Sequence, residues 1–282
     1  MNIIEKELFQ TKALKISGTE TPFWYTSGTF GPFYINTHFL FGGEEYASKT
    51  LDFINENKKD KYDFPGIMTR YALEFYNSND KYKGIVDSLI KLISDNVNID
   101  EVDYISGGER RDWFFSYICA YLLQKPHLTI YKNLIVMKSV NGTSDRLFEG
   151  EGGNILHIAD LVTEGSSYFK YWIPALKKIN MNLKWTLAVV DRQQGGTGAI
   201  INAGIHVITG AVFSKALFDN ALKDGEITKS QYEMVKKYMK SPDDFMREFV
   251  SSHPAFLRDS IDKDEKTRER AIAFIKKTDY KR

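Results

Sequence analysis

The sequence predicts an α/β protein built on a mostly parallel sheet that is flanked by helices. Between residues 102 and 208, short apolar strands alternate with helical segments, as in sheets whose parallel strands are joined by helical crossovers. A hydrophobic content of 43% in 282 residues is sufficient for a buried core. After residue 212 the pattern becomes charged and helical, so we predict a sheet domain over 1–212 and a helical C-terminal extension over 213–282.

The N-terminal part combines helices with an aromatic segment. Apolar residues at helical spacing predict amphipathic helices over 3–16, 44–55, 68–77 and 83–97. Residues 21–36 are aromatic and β-prone and contain Ser-Gly and Gly-Pro turn signals, so they predict a hairpin. This hairpin is either an ordinary aromatic edge sheet or a cover whose rings stack on a planar ligand.

The central part supplies the strands of the predicted sheet. Because ligands of such sheets bind at the carboxyl ends of the strands, the loops that follow the strands are the expected functional positions. The predicted strands are 102–105, 128–131, 134–137, 155–158, 183–190 and 204–208, and the predicted helices between them include 113–123 and 166–178.

Charge and composition exclude several classes of partner. The chain has 38 Lys and Arg against 37 Asp and Glu, so we expect no general affinity for nucleic acid or an anionic membrane. No apolar run approaches the roughly 20 residues of a membrane span, and no secretory signal is evident, so a cytoplasmic location is expected. Cys119 is the only cysteine, and its apolar surroundings predict a buried helix residue rather than a reactive one.

Several common catalytic motifs are missing from the sequence. There is no phosphate-binding Gly-x-x-x-x-Gly-Lys loop, no Gly-x-Ser-x-Gly elbow, no Gly-x-Gly-x-x-Gly after a strand and no His-Glu-x-x-His. The hypothesis of a dinucleotide-dependent oxidoreductase is therefore supported only by the alternating strand and helix pattern.

The stretch 155–167 is the strongest local signal for a binding site. Asp160 follows a buried strand, and Thr163, Gly165, Ser166 and Ser167 lead into a helix. Such a turn presents backbone N–H groups and hydroxyls to a phosphate, and glycine lets the backbone approach the ligand closely. The alternative is an ordinary strand-to-helix turn capped by serine.

These residues carry a resemblance to a known family. The segment 158–167 resembles the phosphoribosyl pyrophosphate (PRPP) motif of type I phosphoribosyltransferases. The segment 189–196, Val-Val-Asp-Arg-Gln-Gln-Gly-Gly, is similar to the Asp-Arg-x-x-Gly signature of the orotate phosphoribosyltransferase branch, and 26–36 resembles the N-terminal hood of that branch. We take the hood as residues 14–40.

The resemblance implies a fold, a reaction and partners. It implies a phosphoribosyltransferase fold and the transfer of ribose 5-phosphate from PRPP to a nucleobase, a pyrimidine such as orotate, with release of pyrophosphate, as in pyrimidine biosynthesis. The implied partners are PRPP, a nucleobase or nucleoside monophosphate, substrate-associated Mg²⁺ and a second copy of the chain in a homodimer.

It also implies roles for individual residues, with no protein metal ligands assigned. Asp160 would bind the ribose hydroxyls, Lys138 and the turn after the first central strand would hold pyrophosphate, and aromatic hood residues would cover the base. The implied site residues are Asp160 and Lys138 as catalytic groups, and Thr163, Glu164, Gly165, Ser166, Ser167, Gly107, Gly108, Arg110, Arg111, Arg192, Phe33 and Tyr34 as substrate-binding groups.

Structural alternatives stay open for these assignments. Arg192 suits bidentate recognition of a planar carboxylate, but it could instead pair with Asp191. The turn 106–111 suits a diphosphate, but it could be a salt-bridged surface turn. Ala159 stands where the family motif has its first acidic residue, and the loop 137–150 has few of the family's basic residues. These departures favour an alternative function, a catalytically reduced homologue that binds PRPP or a nucleotide for regulation.

Overall fold

The computed structural model describes residues 1–140, 143–147 and 152–278, which contain eleven strands and twelve α-helices. The strands are β1 Leu14–Ile16, β2 Phe23–Trp24, β3 Phe30–Gly31, β4 Phe33–Ile35, β5 Tyr104–Gly108, β6 His127–Ile130, β7 Val136–Val140, β8 Thr143–Leu147, β9 Asn154–Val162, β10 Asn182–Asp191 and β11 His206–Val212. The helices are α1 Ile3–Gln10, α2 Glu44–Asn57, α3 Phe64–Ser78, α4 Asp80–Asn96, α5 Trp113–Leu122, α6 Ile173–Lys178, α7 Gly196–Asn202, α8 Lys215–Lys223, α9 Lys229–Lys240, α10 Pro242–Ser252, α11 Phe256–Lys263 and α12 Glu265–Thr278. Single turns of 3₁₀ helix occupy Thr37–Leu40 and Ile99–Glu101, and a π-helical turn occupies Tyr168–Trp172.

These elements form two compact units. The first contains Met1–Ala13 and Asn36–Leu217, and the second contains Leu14–Ile35 and the C-terminal residues from Phe218 onward. The predicted domains 1–212 and 213–282 are continuous in sequence, whereas these units are defined by packing and each combines separate segments. The predicted division stays a prediction. Within the described ranges, no helix combines the length and the apolar character needed to cross a membrane.

The first unit is built on a seven-stranded sheet with the order β11-β10-β9-β5-β6-β7-β8. The five strands from β11 to β6 are parallel, and β7 and β8 continue the sheet in antiparallel fashion. The predicted mostly parallel α/β sheet is therefore confirmed. The neighbouring strands β5 and β9 are buried along almost their whole length, as expected for a parallel sheet enclosed by helices.

Helix α5 covers the two strands that lead to the site. Eight of its ten residues are buried, and it packs against β5 and β9. Cys119 is buried in this helix, as predicted, and burial raises the pKa of its thiol, which disfavours the reactive thiolate.

Two segments differ from their predicted structure. The helix predicted over 3–16 ends at Gln10, because Lys12 adopts a left-handed backbone with φ of 59° and Leu14–Ile16 pairs with β4 instead. The predicted loop between 138 and 154 contains β8, which pairs with β7 in antiparallel fashion. Residues 141–142 and 148–151 of that loop lie outside the described residues.

The second unit has a core of aromatic side chains. Trp24 and Phe30 come from the paired strands β2 and β3, and both are buried against helices of this unit. The Trp24 ring stacks on Phe256 with centroids 5.4 Å apart and planes 3° apart. Its indole Nε1 donates a hydrogen bond of 3.1 Å to Ser260 Oγ. The helices α8 to α12 confirm the predicted helical character of this part of the chain.

The packing of Trp24 predicts how a substitution at this position changes the free energy of unfolding. We expect Trp24→Ala to lower the free energy of unfolding by about 3–5 kcal/mol, because it removes a large buried ring and leaves Ser260 without its donor. Urea denaturation followed by circular dichroism measures the change. Tyr62→Ala is the matched control, because this ring is 59% exposed and its loss should cost about 0.5 kcal/mol or less. Equal losses in the two variants would contradict the assigned core.

Candidate functional site

A cavity of about 620 Å³ opens at the carboxyl ends of β5 and β9 in the first unit. The two strands are direct neighbours, with Ser106 paired to His157, so the segments that follow them leave the sheet side by side. The lining residues are 109–112 after β5, 159–161 and 163–168 at the end of β9 and beyond it, and the single residues Lys132 and Trp172. Ten of the predicted site residues fall in this part of the fold: Asp160, Thr163, Glu164, Gly165, Ser166, Ser167, Arg110 and Arg111 line the cavity, and Gly107 and Gly108 end β5.

The loop 163–167 has the compact geometry that its sequence predicts. Gly165 has a left-handed backbone with φ of 74°, and its carbonyl accepts a hydrogen bond of 3.0 Å from Tyr168 N–H. Ser166 and Ser167 are exposed at the cavity. The helix predicted over 166–178 is confirmed: it begins at Ser166, passes through the π-helical turn and continues as α6.

A second glycine segment supports this loop from behind. Gly196 N–H donates a hydrogen bond of 3.0 Å to Thr163 O, and its Cα lies 3.5 Å from the Cβ position of Gly165. A Cβ on Gly196 would lie only 2.6 Å from Thr163 O and from Gly165 N. The segment after β10 therefore packs its backbone directly on the loop, and only glycine fits at position 196.

Arg192 lies at the start of that same segment, but it does not line the cavity. Its backbone N–H donates to Val162 O at 2.9 Å, which ties the end of β10 to the end of β9. Asp191 accepts hydrogen bonds from the backbone and side chain of Gln193. Within the described chain, no carboxylate forms an ion pair with the Arg192 guanidinium, so the alternative pairing with Asp191 is not formed.

The turn after β5 brings positive charge to the cavity. Arg110 donates to Asn55 Oδ1 at 2.5 Å, and Arg111 is exposed. Burial, followed by the charges of Arg111 and Arg110, lowers the pKa of the nearby His38 to about 4. The two arginines therefore add to the effect of burial in disfavouring the protonated form of His38.

Lys132 is a further cation of the cavity that sequence reasoning missed. It follows β6, and its backbone N–H donates to Glu109 Oε2 at 3.2 Å. Glu109 also forms an ion pair with Lys58, and its pKa lies below the usual value despite burial because of these bonds and charges. Lys132 could have been suspected from the rule that loops after parallel strands point to one edge of the sheet.

Gly107 and Gly108 are required by packing. A Cβ on Gly107 would lie 2.1 Å from Ser116 Oγ, and one on Gly108 would lie 2.1 Å from the Trp172 ring. The Gly108 N–H already donates to Asp112 Oδ2 at 3.0 Å. Their assignment as diphosphate ligands stays a prediction.

Two carboxylates meet at the floor of the cavity. Asp160 is 8% exposed, accepts a hydrogen bond of 2.5 Å from Thr37 Oγ1, and donates its backbone N–H to Asp112 Oδ1 at 3.0 Å. Burial, reinforced by the charge of Asp112, raises the pKa of Asp160 from its ordinary 3.8 to about 7. Carboxyl groups with raised pKa values in a cavity are typical of functional sites.

A buried histidine completes this cluster. His157 Nδ1 shares a hydrogen bond of 2.9 Å with Ser106 Oγ, and His157 Nε2 lies 3.4 Å from Asp112 Oδ2. Sequence reasoning missed Thr37, Asp112 and His157 as site residues, because they meet through the register of β5 with β9 and the packing of the 3₁₀ turn that carries Thr37, not through local sequence. Across the described residues, no group of three or more His, Cys, Asp or Glu is arranged to hold a metal ion.

Lys138, a further predicted site residue, does not line the cavity. Lys138 lies on β7 with its ammonium group 5.5 Å from the ring centroid of Tyr104, which begins β5, whereas the cavity lies beyond the end of β5. Phe33 and Tyr34 belong to the second unit. There Phe33 is buried against Phe218 and Tyr238, whereas Tyr34 is 41% exposed.

Comparison with known proteins identifies the fold. The sequence matches no protein-family model and has no significant match among curated proteins. UMP synthase from Leishmania donovani matches the structure with a TM-score of 0.53 and 16% identity, over 84% of this chain but 41% of the UMP synthase chain, so this chain spans less than half of that length. Orotate phosphoribosyltransferase from Aeropyrum pernix matches with a TM-score of 0.50 and 17% identity, over 77% of this chain and 98% of that chain. The chain therefore has the type I phosphoribosyltransferase fold, as the motif resemblance implied.

The contact between Gly196 and the loop predicts a position-specific effect. We expect Gly196→Ala to lower the free energy of unfolding by about 1–3 kcal/mol, because the new methyl group collides with the backbone of 163–165. Gly198→Ala is the matched control in the same helix, where a Cβ meets nothing within 4 Å. It should be neutral or stabilising by up to about 1 kcal/mol. Urea denaturation of both variants measures the difference, and similar losses would show that α7 rather than the loop contact is responsible.

The raised pKa of Asp160 predicts a pH dependence of stability. In the unfolded chain this carboxyl ionises near pH 4, whereas in the folded chain it keeps its proton until about pH 7. Its favourable contribution is therefore complete below about pH 4 and is lost as the pH rises to about 7, at no more than about 1.4 kcal/mol per pH unit. We expect Asp160→Asn to remove this decline in the free energy of unfolding, measured by urea denaturation between pH 5 and 8. Asp95→Asn, at an exposed carboxyl on α4, should leave the decline unchanged, and parallel curves for wild type and Asp160→Asn would refute the assignment.

Proposed function

We propose that the chain binds PRPP and transfers its ribose 5-phosphate to a nucleobase, a pyrimidine such as orotate, with release of pyrophosphate. The observation that carries this proposal is that one cavity is lined both by the loop 163–167 and by three cations, Arg110, Arg111 and Lys132. PRPP carries a phosphate and a diphosphate on one ribose, so it needs two anion sites in a single cavity. The fold shared with structures named orotate phosphoribosyltransferase and UMP synthase supports the same reaction.

The loop 163–167 is the proposed site for the 5′-phosphate. The hydroxyls of Thr163, Ser166 and Ser167 offer donors to phosphate oxygens, and Gly165 lets the backbone approach them without a side chain. Glu164 lines the same cavity, where its charge would oppose a second anion close to the loop.

The cations after β5 and β6 are the proposed partners of the diphosphate. As the bond between the ribose and the diphosphate breaks, negative charge grows on the leaving group, and positioned cations stabilise it. The Arg110 guanidinium is held by its hydrogen bond to Asn55 Oδ1, and the backbone of Lys132 is held by its N–H bond to Glu109 Oε2. Mg²⁺ would arrive as part of the substrate, bound to the diphosphate.

Asp160 and Arg192 are the proposed contacts for the ribose and the base. Asp160 lines the cavity, and its carboxylate would accept hydrogen bonds from ribose hydroxyls and favour the positive charge that develops on the sugar. Arg192 follows β10, next to β9, and it has no carboxylate partner among the described residues, which leaves its guanidinium for the carboxylate of orotate. We also propose a homodimer, on the resemblance alone.

A second function, binding of PRPP or a nucleotide without turnover, is favoured by two specific observations. Ala159 contributes only a methyl group to the cavity, where the family motif has a carboxylate. Lys138, the expected catalytic cation of the loop 137–150, lies against Tyr104 instead. Loss of one positioned group in such a site can cost about a hundredfold in rate.

A pair of glycine variants tests the ligand site. We expect Gly165→Ala to weaken the binding of Mg-PRPP by roughly tenfold, because a side chain at positive φ strains the loop and a Cβ would approach Phe169 within 3.4 Å. Gly204→Ala is the matched control, since Gly204 also has positive φ, at 83°, but lies in the turn before β11 with open space around it. It should lose stability but keep affinity in titration calorimetry. Equal weakening in both variants would place the site elsewhere.

A second experiment measures turnover with the wild-type protein. Pyrophosphate release from Mg-PRPP is measured with orotate, uracil and the purine bases in turn. Release with orotate supports the proposed transfer, and release only with another base corrects the substrate. Binding of Mg-PRPP without release for any base supports the second function, and no binding of Mg-PRPP or of nucleoside monophosphates overturns both.

A further inference from the structure

We propose that Asp112 supplies the second carboxylate for the ribose hydroxyls of the bound ligand, in place of the acidic residue missing at position 159. This inference rests on the proposed function, because it assumes a phosphoribosyl ligand in the cavity. It assigns ribose recognition to a residue of the turn after β5, outside the motif 158–167.

The alternation of β9 defines where the missing carboxylate would have been. Successive side chains of a strand point to opposite faces, so His157 and Ala159 share one face of β9. The His157 ring packs edge-on against Tyr168, which also lines the cavity. Asp160 points to the other face, where it meets Thr37. The face of Ala159 therefore has no charged side chain from β9 itself.

Asp112 brings a carboxylate to that same face. Its Oδ2 lies 3.4 Å from Nε2 of His157, the neighbour of Ala159 on this face. Its Oδ1 accepts a hydrogen bond of 3.0 Å from Asp160 N–H, the amide that links Ala159 to Asp160. A carboxylate thus lies directly beside the backbone of position 159, although it originates 48 residues earlier than Asp160.

The position of Asp112 is fixed by its backbone partners. Gly108 N–H donates to Oδ2 at 3.0 Å, so both oxygens are anchored, one to each of the two strands. A carboxylate has about four lone-pair sites, and these two bonds leave capacity for ligand hydroxyls. Asp112 lines the cavity while only 7% exposed, which makes it a preorganised acceptor rather than a surface charge.

The cluster also contains a buried polar atom without a hydrogen bond in the described part of the chain, Nε2 of His157. Among the described residues, the fully buried Nε2 of His157 has no hydrogen-bond partner, and it is directed at Asp112. Buried polar atoms are normally paired, and the nearest polar group that this nitrogen faces is Asp112 Oδ2. Because the nitrogen is fully buried, a ribose hydroxyl in the cavity would meet the Asp112 carboxylate and not the histidine.

Deoxy sugars test the assignment, because a hydroxyl that is absent cannot be recognised. Binding of ribose 5-phosphate, 2-deoxyribose 5-phosphate and 3-deoxyribose 5-phosphate is measured by titration calorimetry. We expect wild type to prefer the ribose compound over at least one deoxy analogue by roughly tenfold or more. Asp112→Asn should reduce this preference towards unity, while binding of the deoxy compound itself changes little. A purely structural role of Asp112 would weaken all three ligands together and would overturn the proposal.

Restoring a carboxylate on β9 gives a second variant. In the Asp112→Asn background, Ala159→Asp should recover the ribose preference, because it returns the acceptor to the position used by the family motif. If Asp112→Asn does not fold, the single variant Ala159→Asp decides. With Asp112 already serving the hydroxyls, a third carboxylate should leave the preference unchanged or lower it, whereas a rise would show that Asp112 is not used.

Failure of this inference is distinguishable from failure of the proposed function. If wild type binds none of the sugar phosphates and no Mg-PRPP, the phosphoribosyl site itself is wrong. If wild type binds them and prefers the ribose compound, but Asp112→Asn keeps the full preference, the site stands and Asp112 has no part in reading the hydroxyls.

Discussion

The parallel pairing of β5 with β9 is the interaction on which the site depends. Ser106 lies opposite His157, so the turn 109–112 and the loop 163–167 emerge from one edge of the sheet although they are far apart in sequence. Asp112 reinforces this pairing through the backbone N–H groups of Gly108 and Asp160. Helix α5 starts immediately after Asp112 and buries its apolar surface on the same two strands, so the packing of the core and the position of the turn are set together.

The buried carboxyl groups at the floor of the cavity lower the stability of the fold. Two carboxyl groups, Asp112 and Asp160, are almost fully buried near each other, and burial together with the charge of Asp112 raises the pKa of Asp160. Hydrogen bonds from Thr37 and from two backbone amides offset part of this cost. A fold that needed only stability would place apolar residues at such positions, as it does at Ala159 and Leu156. The polar floor therefore has no evident role in stability, and we propose that its role is to bind a ligand.

Local sequence predicted those parts of the site that depend on local geometry. A buried strand followed by Thr163, Gly165 and two serines contains the information for the loop 163–167, and the alternation of strands and helices contains the information for the sheet. The contributions of Thr37 and Lys132 depend on the tertiary arrangement, which no short motif encodes. Lys138 differs from these residues, because the resemblance implied its role, whereas its ammonium group lies 5.5 Å from the ring centroid of Tyr104 and does not line the cavity.

The Asp-Arg-x-x-Gly signature has a structural part that is independent of base recognition. Asp191 binds Gln193, Gly195 has a left-handed backbone, and Gly196 is thereby placed against the backbone of the loop 163–167. These contacts shape the loop whether or not Arg192 holds a base. Under both proposed functions, the signature would therefore serve to shape the loop that we propose for the 5′-phosphate. What separates the two proposed functions must lie instead at the ribose and the diphosphate, where Ala159 removes one carboxylate and Arg110, Arg111 and Lys132 supply the cations.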